Sequence, residues 1–316
     1  MMVERTTRTE ANRPPGILEH LSDGMSLVLA FPYLVAIPVL VDLYLLLGVR
    51  ISSESLTSRV GDWFVGRDSQ GSIDTGEWIR DLGAWDSSRL LAVLTPSVLD
   101  GMSQEKLYRP FERLTWSPSS PVVLVASFIM LLIGSAIFIM YLTMLAHQAE
   151  MIRTRPQSVI RLLLDRWAKV LGFAALLILA LAATLGALVL PGALLAAGGM
   201  STESVVGLLS LVGLVILIIT MFVPEAIVID GAGPIAAIRA SATVVFRFFW
   251  QSAAFFAVSL MISPGLLSIW ERVAGDPAGL AVAVVVNAIM VTSLSLASLA
   301  FYQARFDGVA SVPHAK

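Results

Sequence analysis

The stretch FVPEAIVIDGAGPIAAIRASATVVFRFFW, residues 222–250, decides how the rest of the chain is read. It follows a long uncharged apolar run and interrupts it with Pro224 and Glu225. Four apolar residues follow, and the chain then turns through Asp230, Gly231, Ala232, Gly233 and Pro234. The next segment carries only Arg239 and Arg247 as charges before it reaches Phe248, Phe249 and Trp250. This pattern reads as a corner. Pro224 lacks the N–H that a continuous helix needs, so the helix ahead of it is expected to bend. Gly231 and Gly233 are expected to supply the reversal. Pro234 opens a new helix at a first-turn position, where a missing N–H costs nothing.

At about 100° per residue, Ile235, Ile238, Ala242, Val245, Phe246 and Phe249 share one arc of that new helix. Arg239, Ser241, Thr243 and Arg247 take the rest. A helix of this kind lies in the membrane plane with its apolar face down. Glu225 then falls near the inner headgroups, where a lone carboxylate is costly unless paired or wet. Arg239 and Arg247 are the nearest basic residues in sequence, and Glu225 is expected to dock onto one of them.

An earlier segment repeats the pattern. PQSVIRLLLDRWAKVLGF from Pro156 and PIAAIRASATVVFRFFWQ from Pro234 both begin P-x-x-x-I-R, 78 residues apart. Each reads as an interfacial helix feeding a transmembrane hairpin, a duplicated supersecondary unit. PGILEHLSDGM, ahead of the first apolar run, reads as a degenerate third copy.

Composition places these units in lipid. The 316 residues are 57% hydrophobic and 14% charged, with a mean hydropathy of +0.82. Soluble domains carry about 25% charged residues. A net charge of −2 does not point to a nucleic-acid partner. With no cysteine, disulfides and thiolate metal sites are excluded. Six runs reach the length of about 20 apolar residues that a crossing requires: 25–48, 121–147, 169–197, 205–229, 249–270 and 278–303. The first is too long for a signal-peptide core and reads as an uncleaved helix behind a polar tail, residues 1–24. Arg153, Arg155, Arg161, Arg166 and Lys169 cluster between the second and third runs, and Arg239 and Arg247 between the fourth and fifth. The tails add Arg5, Arg8, Arg13, Arg305 and Lys316, whereas the opposite short loops hold only Arg272. The positive-inside rule then puts both termini in the cytoplasm. Residues 49–120, with eight basic and ten acidic residues, form an exoplasmic cap, and 90–98 is a run too short to span that dips into the interface. Trp116, Trp250, Trp270 and Tyr302 are expected at headgroup level. Trp63, Trp78 and Trp85 make the cap too aromatic for plain disorder.

Asp230, Gly231, Gly233, Pro234, Ala237, Ser241 and Trp250 together resemble the signature of a group of bacterial six-helix membrane proteins. That group includes the membrane domain fused to glycerophosphodiester phosphodiesterases and the YciC-like proteins. The resemblance covers residues 120–305 at most. It implies architecture and no activity, since no soluble region here is long enough for the phosphodiesterase barrel.

Few residues promise chemistry. His20, His147 and His314 are scattered, and neither a phosphate loop nor a nucleophile elbow is present. Asp42, within the first run, is the clearest intramembrane carboxylate. It reads either as a cation- or proton-binding group in a wet cavity or as a hydrogen-bonded or snorkelling group near the outer headgroups. Asn287, Ser295 and Ser298 form a polar stripe on the last run, expected to hydrogen-bond across helices. Ala182, Gly186, Gly207 and Gly213 are expected at close helix contacts. The sequence thus specifies an all-α, polytopic membrane protein of six crossings, with interfacial helices ahead of spans 3 and 5. No metal or cofactor is implied. The leading expectation is a non-enzymatic factor that organises the membrane or assists a complex. Its partners would be the lipid bilayer, anionic lipid headgroups and other membrane proteins. A transporter using Asp42 is the alternative.

Overall fold

The computed structural model describes residues 16–65, 86–92, 95, 97–101, 114–153, 158–197 and 202–310, with most side chains between 181 and 209 outside that description. Expectations on Arg5, Arg8, Arg13, Trp78, Trp85, Arg155, Pro156, His314 and Lys316 lie outside it. So do those on the side chains of Trp63, Ala182 and Gly186. The described chain is almost wholly helical. In order it contains α1 (Ile17–Ala30), a 3-10 turn (Pro32–Val35), α2 (Ala36–Leu47), β1 (Arg50–Ile51), α3 (Glu54–Val65), a second 3-10 turn (Ser87–Leu91), α4 (Val98–Gly101) and β2 (Thr115–Trp116). The apolar half follows: α5 (Ser120–Gln148), α6 (Val159–Ala197), α7 (Thr202–Thr220), α8 (Val223–Asp230), α9 (Pro234–Arg247), α10 (Phe249–Val273) and α11 (Pro277–Ala310).

Among the described residues, four helical stretches are long and apolar enough to cross a membrane: Ser120–Gln148, Ser210–Asp230, Phe249–Val273 and Pro277–Gly308. A fifth is added if the pair Ile17–Ala30 and Pro32–Leu47, bent by 101°, is one broken span. The first expected span is therefore not a rod. Phe31 leaves helical geometry (φ −130, ψ 70) ahead of Pro32, which cannot continue the ladder. The run at 169–197 lies on α6, and most of its side chains fall outside the description. The two copies of the repeat also differ. α9 is a separate helix, ended at Phe248 (φ −119, ψ 42), whereas Val159–Ala197 runs on without a break.

The chain divides into two compact units, 1–27 with 142–260 and 293–316, and 28–141 with 261–292. In the first, α9 packs against α6, α7 and α8 through Ala237, Ser241, Val244 and Val245, a stripe at helical spacing. Ser241, read from the wheel as polar and outward, is fully buried. Val245, read as membrane-facing, is 1% exposed. The wheel was turned because the protein itself covers the small-residue face. Ile235, Phe246 and Arg239 remain exposed, as do Phe249 and Trp250 beyond the helix. Close approach occurs at Gly24, where a Cβ would meet the Ser293 carbonyl at 2.5 Å. Gly207 and Gly213 face open space and make no close helix contact.

The second unit has its own core. α2 buries Pro38, Val41, Asp42 and Leu45 along one face. Val41 and Leu45 join Ala92, Val98, Leu99, Trp270, Ala274 and Leu280 in one apolar cluster. Trp270 is thus a core residue, and Tyr302 is fully buried in the other unit, while Trp116 and Trp250 are exposed as a belt requires. The segment expected to dip, 90–98, has Leu91, Ala92 and Val98 buried. Its turn Leu90–Leu91 lies on Gly134 of α5, where a Cβ would meet the Leu91 carbonyl oxygen at 2.5 Å. At the cap, β1 and β2 pair in parallel, Arg50 beside Thr115 and Ile51 beside Trp116, and Ser52 bridges to Asp86. Asp86 is fully buried and accepts from the Ile51 and Ser88 amides and from Ser88 Oγ.

Gly134→Ala is expected to push the 87–91 turn off α5 and to cost about 1–3 kcal/mol. A thermal unfolding scan in detergent reads this, and an unchanged midpoint would refute the close approach.

Candidate functional site: the buried corner around α8

The corner begins with a backbone problem. α7 ends at Thr220 and α8 starts at Val223, because Pro224 has no N–H for the Thr220 carbonyl. At the bend expected from Pro224, the helix is interrupted over Met221 and Phe222, inside the stretch Ser210–Asp230 that is long enough to cross a membrane. Ser241 of α9 closes the interruption: its Oγ donates to the Ile219 carbonyl (2.6 Å) and accepts from the Phe222 amide (3.2 Å). This hydroxyl appeared in the sequence only as a member of a pattern.

α8 itself is enclosed. Val223, Ala226, Ile227, Val228 and Ile229 are fully buried, so its last carbonyls have no water. Gly231 ends it in the left-handed region (φ 66), and its amide reaches the Ile227 carbonyl at 3.1 Å. Gly233 needs no such freedom. Its φ is −68 and a Cβ there would meet nothing. Two basic side chains and one backbone amide add donors at this end. Arg166, fully buried, donates to the Ile227 carbonyl, Lys169 Nζ donates to the Gly231 carbonyl at 2.9 Å, and the Arg153 amide bonds the Ile229 carbonyl at 3.3 Å. Cations at a helix C-terminus are also favoured by its dipole. Burial pushes the Arg166 guanidinium below its ordinary pKa, and Asp165 and Asp230 oppose that shift. These residues entered the sequence reading only as topology signals.

Asp230 closes the corner from the other side. It pairs with Arg153 at 3.1 Å and accepts from the Tyr302 hydroxyl at 2.7 Å. Arg153 also pairs with Asp307 and lies over the Phe306 ring at 5.7 Å. Phe222, Phe255 and Phe301 stack around the same place, with centroids 5.1–6.2 Å apart.

Glu225 does not dock onto Arg239 or Arg247, which are both exposed on α9. Its Oε1 accepts from Ser298 Oγ at 2.6 Å, and its Oε2 is buried with no hydrogen-bond partner. α9 turns its small face to α8 and its arginines outward, so the carboxyl finds a hydroxyl on α11 instead. The polar stripe of α11 is divided. Ser298 serves the corner, whereas Asn287, 5% exposed, belongs to the other unit. Ser295 is half-buried and has a partner.

Asp42 is the second buried carboxylate of interest, and it is fully buried. It accepts from Ser97 Oγ and from the amides of Val98 (3.4 Å) and Leu99 (3.2 Å). It therefore ties residues 97–99 to α2, in keeping with the hydrogen-bonded reading. His20 and His147 do not meet, since His20 is buried on α1 and His147 is exposed in the last turn of α5. Among the described residues, no three metal-ligating side chains come together.

Two substitutions test the corner. Ser241→Ala leaves two backbone groups without a partner and should cost about 1–3 kcal/mol. Gly233→Ser should be neutral or mildly stabilising, because serine is a good N-cap. Chemical or thermal unfolding in detergent reads both, and the reverse order of stabilities would overturn this account. No family model, curated protein or solved structure matches the chain.

Proposed function

We propose that the chain is a non-enzymatic inner-membrane factor that organises lipid or supports a membrane complex. In this reading the chain crosses six times, and the basic residues of its short loops put both termini in the cytoplasm. The single observation carrying this reading is the division of labour among charged residues. The buried Asp42 and Arg166 and the half-buried Asp230 all act as ties. The outward side of the corner instead presents Arg239 and Arg247 among exposed Ile235, Phe246, Phe249 and Trp250. A helix with that surface suits the headgroup layer, with rings in the interface and guanidinium groups toward anionic lipid. The resemblance to six-helix bacterial membrane proteins agrees with this placement of α9 and adds no reaction. A transporter would require Asp42 to face a wet path, and its three bonds to 97–99 give it a different task.

Each arginine near an anionic surface contributes about 1 kcal/mol. The variant Arg239→Glu with Arg247→Glu should lose at least about 2 kcal/mol of stabilisation by anionic lipid. The measurement compares thermal midpoints in nanodiscs of phosphatidylglycerol and of phosphatidylcholine. Wild type should be more stable in the anionic discs, and the variant should not. Equal midpoints for wild type in both lipids would remove this reading, as would solute flux by the purified protein in vesicles.

A further inference from the structure

The second unit holds an apolar groove of about 370 Å³ between α2 and α5. Ile37, Leu40 and Tyr44 form one wall, and Met130, Ile133 and Ile137 continue into Met140 on the other. Val41 and Leu91 lie at its floor. The Tyr44 hydroxyl is the one polar side-chain atom in this lining, so a polar solute finds nothing there to replace its water. The mouth is different in kind. Leu40, Ile133 and Met140 are 63%, 43% and 44% exposed, and α5 is one of the helices long and apolar enough to cross the membrane. The groove is therefore continuous with the surface that α5 turns to hydrocarbon.

Size narrows the occupant. Met130 to Met140 is a rise of about 15 Å along a helix. That is half of the roughly 30 Å hydrocarbon core, the depth of one leaflet. The volume lies at the low end of small-ligand sites, which run from about 300 to 1,000 Å³. One chain fits it and a two-tailed lipid does not. The two methionines give the walls unbranched, adaptable side chains. Gly134, on the same helix, lets the Leu90–Leu91 turn come close enough to form the floor.

We propose that this groove holds one acyl chain of a bilayer lipid. The proposal deepens the lipid-organising reading, since it names a tail as well as a headgroup layer. It uses none of the residues of α9, so the double arginine variant and the groove variants can fail independently.

The test uses the full chain in vesicles of phosphatidylethanolamine and phosphatidylglycerol, doped with a phosphatidylcholine carrying a diazirine midway along one acyl chain. After irradiation, labelled residues are mapped by mass spectrometry. Labelling should concentrate on Met130, Ile137 and Tyr44, above Phe128 and Ile129, which are 60% and 45% exposed on the same α5. Leu40→Trp closes the mouth from an exposed position and should lower labelling at Met130 and Tyr44 about tenfold, leaving Phe128 and Ile129 unchanged. Ile137→Trp should do the same from within. A second arm replaces Met130 with photo-methionine and identifies what it captures. A lipid adduct supports the proposal. A peptide of the same chain, or of a second copy, overturns it. So does labelling that follows exposure alone, or labelling indifferent to Leu40→Trp.

Discussion

A helix broken where water cannot reach must find other partners for its peptide groups, and the corner is organised by that need. Pro224 opens the break, and Ala226 to Ile229 of α8 are fully buried. Each group left bare would cost about 1–3 kcal/mol. Ser241 answers the break itself, and Arg166, Lys169 and the Arg153 backbone answer the end of α8. The basic residues that mark orientation in the sequence are thereby also the donors that complete a helix. One chemical requirement links a hydropathy signal to a packing arrangement.

The 97–99 segment of the other unit presents the opposite requirement. There the buried groups in need of a partner are amides, those of Val98 and Leu99, and a carboxylate is the matching group. Asp42 on α2 supplies it. Cations at a carbonyl end and an anion at an amide end are two solutions to one electrostatic rule.

Much of the helical pattern was legible because length and apolarity declare a crossing directly. The boundaries of α5, α10 and α11 follow the hydropathy closely. Pro224 and Gly231 were legible for local reasons, a missing donor and a left-handed φ. What hydropathy misses is which neighbour covers which face. Val245 and Phe246 are adjacent and equally apolar, yet one packs inside and the other points out. Ser241 and Tyr302 looked like an ordinary polar filler and an interfacial ring, because their partners, Phe222 and Asp230, are distant in sequence. Glu225 was assigned to the nearest arginines by the same shortcut. Sequence distance is a poor guide where helices cross, and Ser298, 73 positions away, is the actual neighbour.

That separation has a consequence for biogenesis. The cations that serve α8 precede it, Ser241 follows shortly, and Ser298 and Tyr302 are translated 73 and 72 residues after Glu225 and Asp230. At about 5–20 residues per second, a ribosome leaves those two carboxylates waiting for several seconds. A polypeptide stalled before α11 would carry a corner whose acids still lack their hydroxyl donors. The joint is therefore complete only once the last helix has been made and packed.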